Sequence, residues 1–580
     1  MQLATEVALK MRVESHLAVI YPDVDASELA AKLIHIMKLD DDLVRPTAHE
    51  NRWNEKDIWV ITYGDSIRGE QHKPLQHLRH FFNTRLKDVV NGIHVLPFFP
   101  FSSDDGFSVI DFSQVNESLG SWQDIQDLGR EYHLMGDLVV NHCSSRSRWF
   151  ENFKKRVHPG KDYFVEVGDD FDIEQVVRPR TSPLLREVNT LDGKRKVWCT
   201  FSHDQVDLNY ENPELLCEMV QIIKQYLDNG VRIFRMDAVA FLWKENGTKC
   251  IHLNQTHEMV KLFRTLIEHH STDAIVITET NVPNHENLSY YGNANEAHAV
   301  YNFSLPPLLL QALLKGDSSH LTAWLSTMPP SQMGTFYFNF LASHDGIGLR
   351  PVEGYLTDDE VNEMVGCLRQ FGARISWRTG NDGRDKPYEV NVTLFDSLQG
   401  TLKGPDRWQI PRFLCAHGVM LALEGVPAIY IHSLLATNNY YHGVEHTNHN
   451  RTINRYKWDE EELIGLLDDE GTHHSKVFHA MKDLMAIRKQ ESCFHPNAEQ
   501  FVLHISDQIF GFWRQNIERT EVIFCLFNFS DEDLSIPLTS LNLPNEQGWK
   551  DLVSGKEYDT CYEELALKPY QFVWLKGSAN

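Results

Sequence analysis

Residues 230–239 read GVRIFRMDAV, and two further stretches share their form, HLMGDLVVN over 133–141 and AIVITE over 274–279. Each is a short run of β-branched and apolar residues with charged or polar residues toward its end, as expected of a buried strand. Between the first and last of them, His257, Val260, Leu262, Phe263, Leu266 and Ile267 make an apolar stripe at helical spacing, leaving Lys261, Arg264 and Glu268 to face water. Working outward, five more runs complete the set: IWVITYGD from Ile58, GIHVLPFF from Gly92, HAVYNFS from His298, FYFNFLASHD from Phe336 and PAIYIHSLL from Pro427. Strands alternating with amphipathic helices predict right-handed parallel βαβ units, and eight of them close into a (β/α)8 barrel of the α/β class.

Two connections are too long for plain crossovers, 143–212 after the third strand and 347–410 after the seventh, and loops of that length are usually functional. Both leave the C-terminal face of the barrel, where this fold keeps its chemistry. The expected organisation is a helical extension over 1–50, a barrel in three pieces (51–142, 213–346 and 411–494) interrupted by those insertions, and a C-terminal antiparallel β domain over 495–580. In the last, FVLHIS, IFGFWRQ, VIFCLFNFS, LSIPL and YQFVWLKG have a period near two. In the extension, Val7, Met11, Val13 and Leu17, then Leu29, Leu33, Ile36 and Met37, predict two helices packed on the body.

The chain of 580 residues carries 81 acidic and 55 basic side chains, a net charge of −26 that argues against a nucleic-acid partner. Its nine cysteines are scattered singly without a C-x-x-C pair, which suits a reducing compartment and buried small apolar roles. Glu6, Lys10, Arg12 and Glu14 interrupt the apolar periodicity of the N-terminus, so neither a signal peptide nor a membrane span is expected, and the chain reads as cytoplasmic.

Chemistry-bearing residues gather at four strand ends: Asp137 and His142, Arg235 and Asp237, Glu279, and His344 with Asp345. A lone acid at a strand end is usually a cap or an ion-pair partner, but several with Arg and His at one barrel mouth point to catalysis. Retaining glycosyl transfer needs an ionised carboxylate to attack the anomeric carbon and a protonated one to serve the leaving oxygen, about 5–5.5 Å apart. Asp237 and Glu279, on adjacent strands, suit those roles. Arg235 is two residues from Asp237 on the same face and is expected to keep it ionised, whereas Glu279 must be pushed up by burial and by neighbouring charge. Asp345 is then free to stabilise the oxocarbenium-like transition state.

DLVVNH, GVRIFRMDAV, ITET and FLASHD resemble the four signature regions of the α-amylase family, glycoside hydrolase family 13. RMDAVAFLWKENGTKC, NFSLPPLLLQAL, SHDGIGLRP, YEVN and TNHNRTINR are similar to segments of its sucrose phosphorylase-like subfamily, a likeness that covers roughly residues 57 to 490. The resemblance implies Asp237 as nucleophile, Glu279 as acid/base and Asp345 as transition-state stabiliser. Around the glucosyl unit it implies Asp104, Phe107, His142, Phe201, Gln205, Arg235, His344 and Arg451. For phosphate and acceptor it implies Arg180, whose planar fork suits phosphate, with Tyr388, Asn281, Lys386 and Glu389.

It also implies transfer of glucosyl from sucrose or glucosylglycerate to inorganic phosphate, giving α-glucose 1-phosphate without a cofactor. Sucrose-cleaving members usually read EVH and YQVN where this chain has Glu279-Thr280-Asn281 and Tyr388-Glu389-Val390-Asn391. These acceptor-side departures resemble the glucosylglycerate and glucosylglycerol phosphorylases. Glu389 is then expected to accept hydrogen bonds from a polyol, and Lys386 or Arg384 to pair with a carboxylate. An amylosucrase-like transglucosidase or hydrolase is the alternative activity. No metal is implied: Asn141 lies where some amylases ligate calcium, but no dense Asp loop accompanies it. His442, His446 and His449 have spacings a zinc site could use, without a Cys or HExxH pattern.

Overall fold

All eight predicted runs form strands: β1 (Trp59–Thr62), β2 (Gly92–Val95), β3 (His133–Val139), β4 (Ile233–Asp237), β5 (Ile275–Thr278), β6 (Ala299–Tyr301), β7 (Phe336–Asn339) and β8 (Val426–Tyr430). In the computed structural model, which describes residues 2–40, 44–379, 385–541, 548–560 and 562–578, they pair in chain order into one closed barrel. Every pairing is parallel, and β1 against β8 closes the ring. The barrel is buried on both sides, which explains why its strands read as continuous apolar runs rather than alternating ones.

Helix α1 (Gln2–Ile20) and helix α2 (Ala26–Ile36) form the N-terminal extension. The face α1 buries differs from the expected one: Leu9, Val13, Leu17 and Ile20 are inside, while Val7 and Met11 are 54 % and 63 % exposed. Leu9, Val13 and Leu17 keep an i, i+4 row that Ile20 continues at i+3, and Val7 and Met11 fall on the opposite side of the turn. This helix lies on the barrel helix Asn254–His270, with His16 Nδ1 2.8 Å from Glu258 Oε2. Arg264 and Glu268 of that helix are buried rather than solvated. Glu268 accepts from Arg264 at 3.2 Å and from Arg52 at 3.3 Å, and lies 2.8 Å from His298 Nε2. That set of partners holds its carboxyl below the usual carboxylate range against the burial that pushes it up.

After β3 the chain builds a small lobe whose hairpin pairs Leu185–Thr190 with Gly193–Trp198. After β7 it forms the strand Ile347–Gly348, the helix Asp358–Gln370 and the antiparallel strands Arg374–Thr379 and Asp385–Asn391. Beyond residue 498 a six-stranded antiparallel sheet holds four of the five predicted runs, in Glu499–Ser506, Ile509–Gln515, Glu521–Asn528 and Phe572–Ser578. It also takes in two short strands, Trp549–Asp551 and Glu557–Tyr558, which the periodicity does not reveal. The fifth run, as Leu534–Pro537, pairs instead with Glu564–Leu567. Among the described residues no helix is long and apolar enough to cross a membrane.

Candidate active site

The register of β3, β4 and β5 sets the base of the site. Arg235 lies opposite both Asp137 and Ile277, and its guanidinium, 2 % exposed, has two acids within reach. Nη1 donates to Asp237 Oδ1 at 2.7 Å and also to Asp137. Asp137 is fully buried and is held from its other side by His94 Nε2 at 2.7 Å. The row His94–Asp137–Arg235–Asp237 therefore fixes the last carboxylate from below. Beyond it the chain turns through Ala238 at φ +52°, a left-handed conformation costly for a side-chain-bearing residue. That turn aims the Ala238 N–H at Glu279 Oε2, 2.9 Å away, and so ties the two acids together.

Burial pushes Asp237 well up, opposed by Arg235 and reinforced by the charge of Glu279. Arg235 makes the expected charge pair with Asp237, but it shares its guanidinium with Asp137, and desolvation works against it. Glu279 is also raised by burial, against Arg235 and with Asp345 adding to the rise, as its sequence setting suggests. Only Asp237 holds a direct ion pair with Arg235, so of these two facing acids it is the one better placed to carry the charge.

The opposite wall comes from β7 and the segment after β8. Arg451 donates to Asp345 Oδ1 at 2.6 Å and grips both oxygens of Glu389, at 3.1 and 2.8 Å. Asp104 lies 3.8 Å from the same guanidinium. Asp104 and Asp105 are consecutive residues at φ +52° and +46°. Arg455 holds that strained turn by pairing with Asp105 at 2.6 Å, and donates to the His344 carbonyl at 2.9 Å. Phe107 stacks on His344, with ring centres 4.7 Å apart. His142 Nε2 lies 3.0 Å from the Phe107 carbonyl, its ring 5.3 Å from Phe201, and Gln205 Nε2 is 3.4 Å from Asp104 Oδ2.

These groups line one cavity of about 700 Å³, open to solvent. Of the sixteen residues expected from the sequence, the cavity wall contains all but Arg235, which lies beneath it, and Lys386. Lys386 is instead 38 % exposed at its side chain and paired with Asp358 at 3.0 Å. The companion expectation for Arg384 falls outside the described residues. Glu389 lines the wall, but it is buried and both its oxygens face Arg451, so the role of a free acceptor for a polyol is corrected to that of a brace for Arg451.

Tyr388 and Glu389 reach the cavity together because of a bulge. Glu389 pairs with Ser376 and Pro387 with Trp377, leaving Tyr388 as the extra residue, and such a bulge re-aims side chains that would otherwise alternate. Arg180 lies over the Tyr388 ring at 5.3 Å. Lys244, Arg350 and Arg455 escape sequence reasoning as individuals, although they stand inside RMDAVAFLWKENGTKC, SHDGIGLRP and TNHNRTINR.

Lys244 bears on the metal question. Its buried ammonium lies 2.6 Å from Asp207 Oδ2, and donates to Asn141 Oδ1 at 2.9 Å and to the Phe241 carbonyl at 2.6 Å. A cation of the protein's own thus takes up the oxygens that Asn141 and Asp207 would offer a metal, and these residues do not fit calcium. Among the described residues no group of His, Cys, Asp and Glu is arranged to hold a metal ion.

A barrel with two acids tied together at the ends of adjacent strands, a third acid after β7 and cations at the mouth defines a glycosyl-transferring enzyme class. Residues 86–346 match the alpha-amylase catalytic domain. The chain is 40 % identical over 571 residues to a glucosylglycerate phosphorylase of Escherichia coli, covering 98 % of this chain and 100 % of that one. It is 41 % identical to one of Spirochaeta thermophila (90 % and 89 % covered) and 26 % identical to a sucrose phosphorylase of Streptococcus mutans (81 % and 95 %). The crystal structure of a sucrose 6F-phosphate phosphorylase from Thermoanaerobacter thermosaccharolyticum superposes with a TM-score of 0.71 at 23 % identity, covering 82 % of this chain and 94 % of that one. The chain belongs to the α-amylase family, in its sucrose phosphorylase-like subfamily.

Proposed function

We propose that this protein is a retaining α-glucoside phosphorylase that takes glucosylglycerate as donor and inorganic phosphate as acceptor. Supporting that reading above all is one cavity that joins the tied acids Asp237 and Glu279 to two arginines, Arg180 and Arg350, without ion pairs among the described residues. A hydrolase has no need of free guanidinium groups beside its leaving group, whereas an enzyme that admits phosphate there does.

In the first step the Asp237 carboxylate attacks the anomeric carbon and the glycosidic C–O bond breaks. Its oxygen leaves with the proton held on Glu279, so glycerate departs with a free hydroxyl and a β-glucosyl ester remains on Asp237. Phosphate then enters, Glu279 takes a proton from its hydroxyl, and that oxygen attacks the anomeric carbon as the ester bond breaks. Two inversions return the α configuration. Asp345 faces the developing positive charge, and Arg451, braced by Glu389, holds Asp345 and the sugar's far hydroxyls.

The glycerate donor is favoured over sucrose by the full-length likeness to proteins named for it and by Thr280 and Asn281 at the acceptor side. The eight described cysteines are free and buried, which fits a cytoplasmic enzyme. A panel of glucosylglycerate, glucosylglycerol and sucrose, each with and without phosphate and followed by α-glucose 1-phosphate, tests the proposal. Free glucose released at the same rate with or without phosphate would refute it.

A further inference from the structure

The acceptor end of the cavity must accommodate two anions in turn, the carboxylate of the departing acid and then phosphate, and it presents two arginines. They stand in different settings. Arg180 comes from the insertion after β3, lies over the Tyr388 ring, and its charge is felt by Asp345 and Glu389, on the glucose side of the cavity. Arg350 comes from the segment after β7, where Ile347–Gly348 pairs with the bulged strand and Leu349 N–H donates to the Tyr388 carbonyl at 3.0 Å. Its charge is felt by Tyr388, as that of Arg180 is, and also by His252 in the connection from β4 to its helix.

The Nε of Arg350 is shut off from solvent with no hydrogen-bond partner, although its side chain lines the cavity. A buried N–H without a partner costs roughly 1–3 kcal/mol, and one on a side chain that lines the cavity is accounted for by a bound ligand that draws the guanidinium toward it. Asn281 is next to it in the wall: Gly348 packs so closely on the Asn281 amide that a Cβ there would come within 2.6 Å of it, and Asn281 Oδ1 is also buried and unpartnered. In a 2-O-linked glycerate the carboxylate oxygens lie one bond farther from the anomeric carbon than the free oxygens of an attacking phosphate. Two cations carried by different segments can therefore serve the two ligands separately.

We propose that Arg350 is the specificity-determining residue for the acceptor carboxylate, with Asn281 taking the adjacent hydroxyl, and that Arg180 serves phosphate. The inference rests on the phosphorylase reading above. Arg350 offers a fork that matches a carboxylate, and an uncharged glyceryl group leaves that fork unsatisfied.

The test runs the reaction toward synthesis from α-glucose 1-phosphate, with glycerate or glycerol as acceptor, in wild type, Arg350→Ala and Arg350→Lys. Lys386→Ala serves as control, since its amine is paired with Asp358 outside the cavity wall. The ratio of specificity constants for glycerate over glycerol should fall ten- to a hundredfold in Arg350→Ala and by a smaller factor in Arg350→Lys, which keeps charge but not the fork, with Lys386→Ala within threefold of wild type. The Michaelis constant for phosphate in the reverse direction should move less than threefold in the Arg350 variants. A glycerate-to-glycerol ratio within threefold of wild type in Arg350→Ala overturns the assignment, as does a loss that falls on phosphate instead. Should Arg350→Ala be inactive on both acceptors, Arg350→Lys decides: a fall in its ratio of threefold or more supports the assignment, and a smaller one overturns it. A wild type that makes no glucosylglycerate fails the phosphorylase reading itself, an outcome separate from an unmoved ratio in an active wild type.

Discussion

Glu389→Gln separates two roles for one carboxylate. In the structure Glu389 presents both oxygens to Arg451, at 3.1 and 2.8 Å, and the other side of that guanidinium holds Asp345 at 2.6 Å. A glutamine keeps the shape and one acceptor oxygen but turns an NH2 toward Arg451, so one charge-assisted hydrogen bond is lost and donor faces donor. The loss amounts to about 1.5–3 kcal/mol, and at about 1.4 kcal/mol per tenfold it corresponds to roughly 10- to 100-fold in kcat/KM. If Glu389 acts through Arg451, that loss falls on the glucosyl half common to every donor. Steady-state kinetics at saturating phosphate should then show glucosylglycerate, glucosylglycerol and sucrose reduced by the same factor, within about threefold. A loss confined to one donor, or a reversal of the donor order, would refute the bracing role and return Glu389 to direct acceptor contact. Arg451→Lys, which cannot grip both oxygens of Glu389 while holding Asp345, should produce the same uniform loss.

Asp237→Asn should lower turnover by several powers of ten with the fold intact, and turnover within tenfold of wild type would remove Asp237 from the nucleophile role. Glu279→Gln should slow glucosylglycerate far more than α-glucosyl fluoride, whose leaving group needs no proton; equal losses on both donors refute the acid role. Since Glu279 is raised by burial and must be protonated to act, glycoside cleavage should decline as pH rises through a limb above the ordinary carboxylate range. That limb should disappear with α-glucosyl fluoride, and its persistence there would assign it to another group. Arg180→Ala should raise the Michaelis constant for phosphate and let water compete for the glucosyl ester, which an unchanged ratio of phosphorolysis to hydrolysis contradicts. Lys244→Met leaves Asp207 buried without its cation, an event that costs about 3–5 kcal/mol. Its urea midpoint should drop, with Asp207→Asn in the same chain recovering part of the loss; an unchanged midpoint refutes the account of Lys244 as a structural cation.

The barrel was legible because its strands are buried on both faces and each is a continuous apolar run followed by a helix, a pattern that survives without any knowledge of contacts. Asp237, Glu279 and Asp345 were legible for the same reason, since a residue at the C-terminal end of a barrel strand has only one place to go. Surface pairing was not. The row Leu9, Val13, Leu17 and Ile20 is as apolar as the row through Val7 and Met11, and only the helix it meets decides between them. Arg264 and Glu268 read as solvated because charge normally is; their burial depends on Arg52 and His298, which are far from them in sequence.

The acceptor side shows a stricter limit. In a regular strand, adjacent residues face opposite ways, so Tyr388 and Glu389 could not both be assigned to one cavity from spacing alone, and Lys386 had as good a claim as Tyr388. The bulge at Tyr388 changes that, and it is set by how Arg374–Thr379 pairs with Asp385–Asn391 rather than by any residue type in the segment. Once the bulge is in place, Glu389 meets Arg451, a neighbour 62 residues away in sequence, and its charge is committed. The carboxylate-reading role then passes from the visibly basic segment GRDKPYE to Arg350. Within SHDGIGLRP this arginine looks like an ordinary solvated side chain, and only its unpaired, buried Nε in the cavity wall sets it apart.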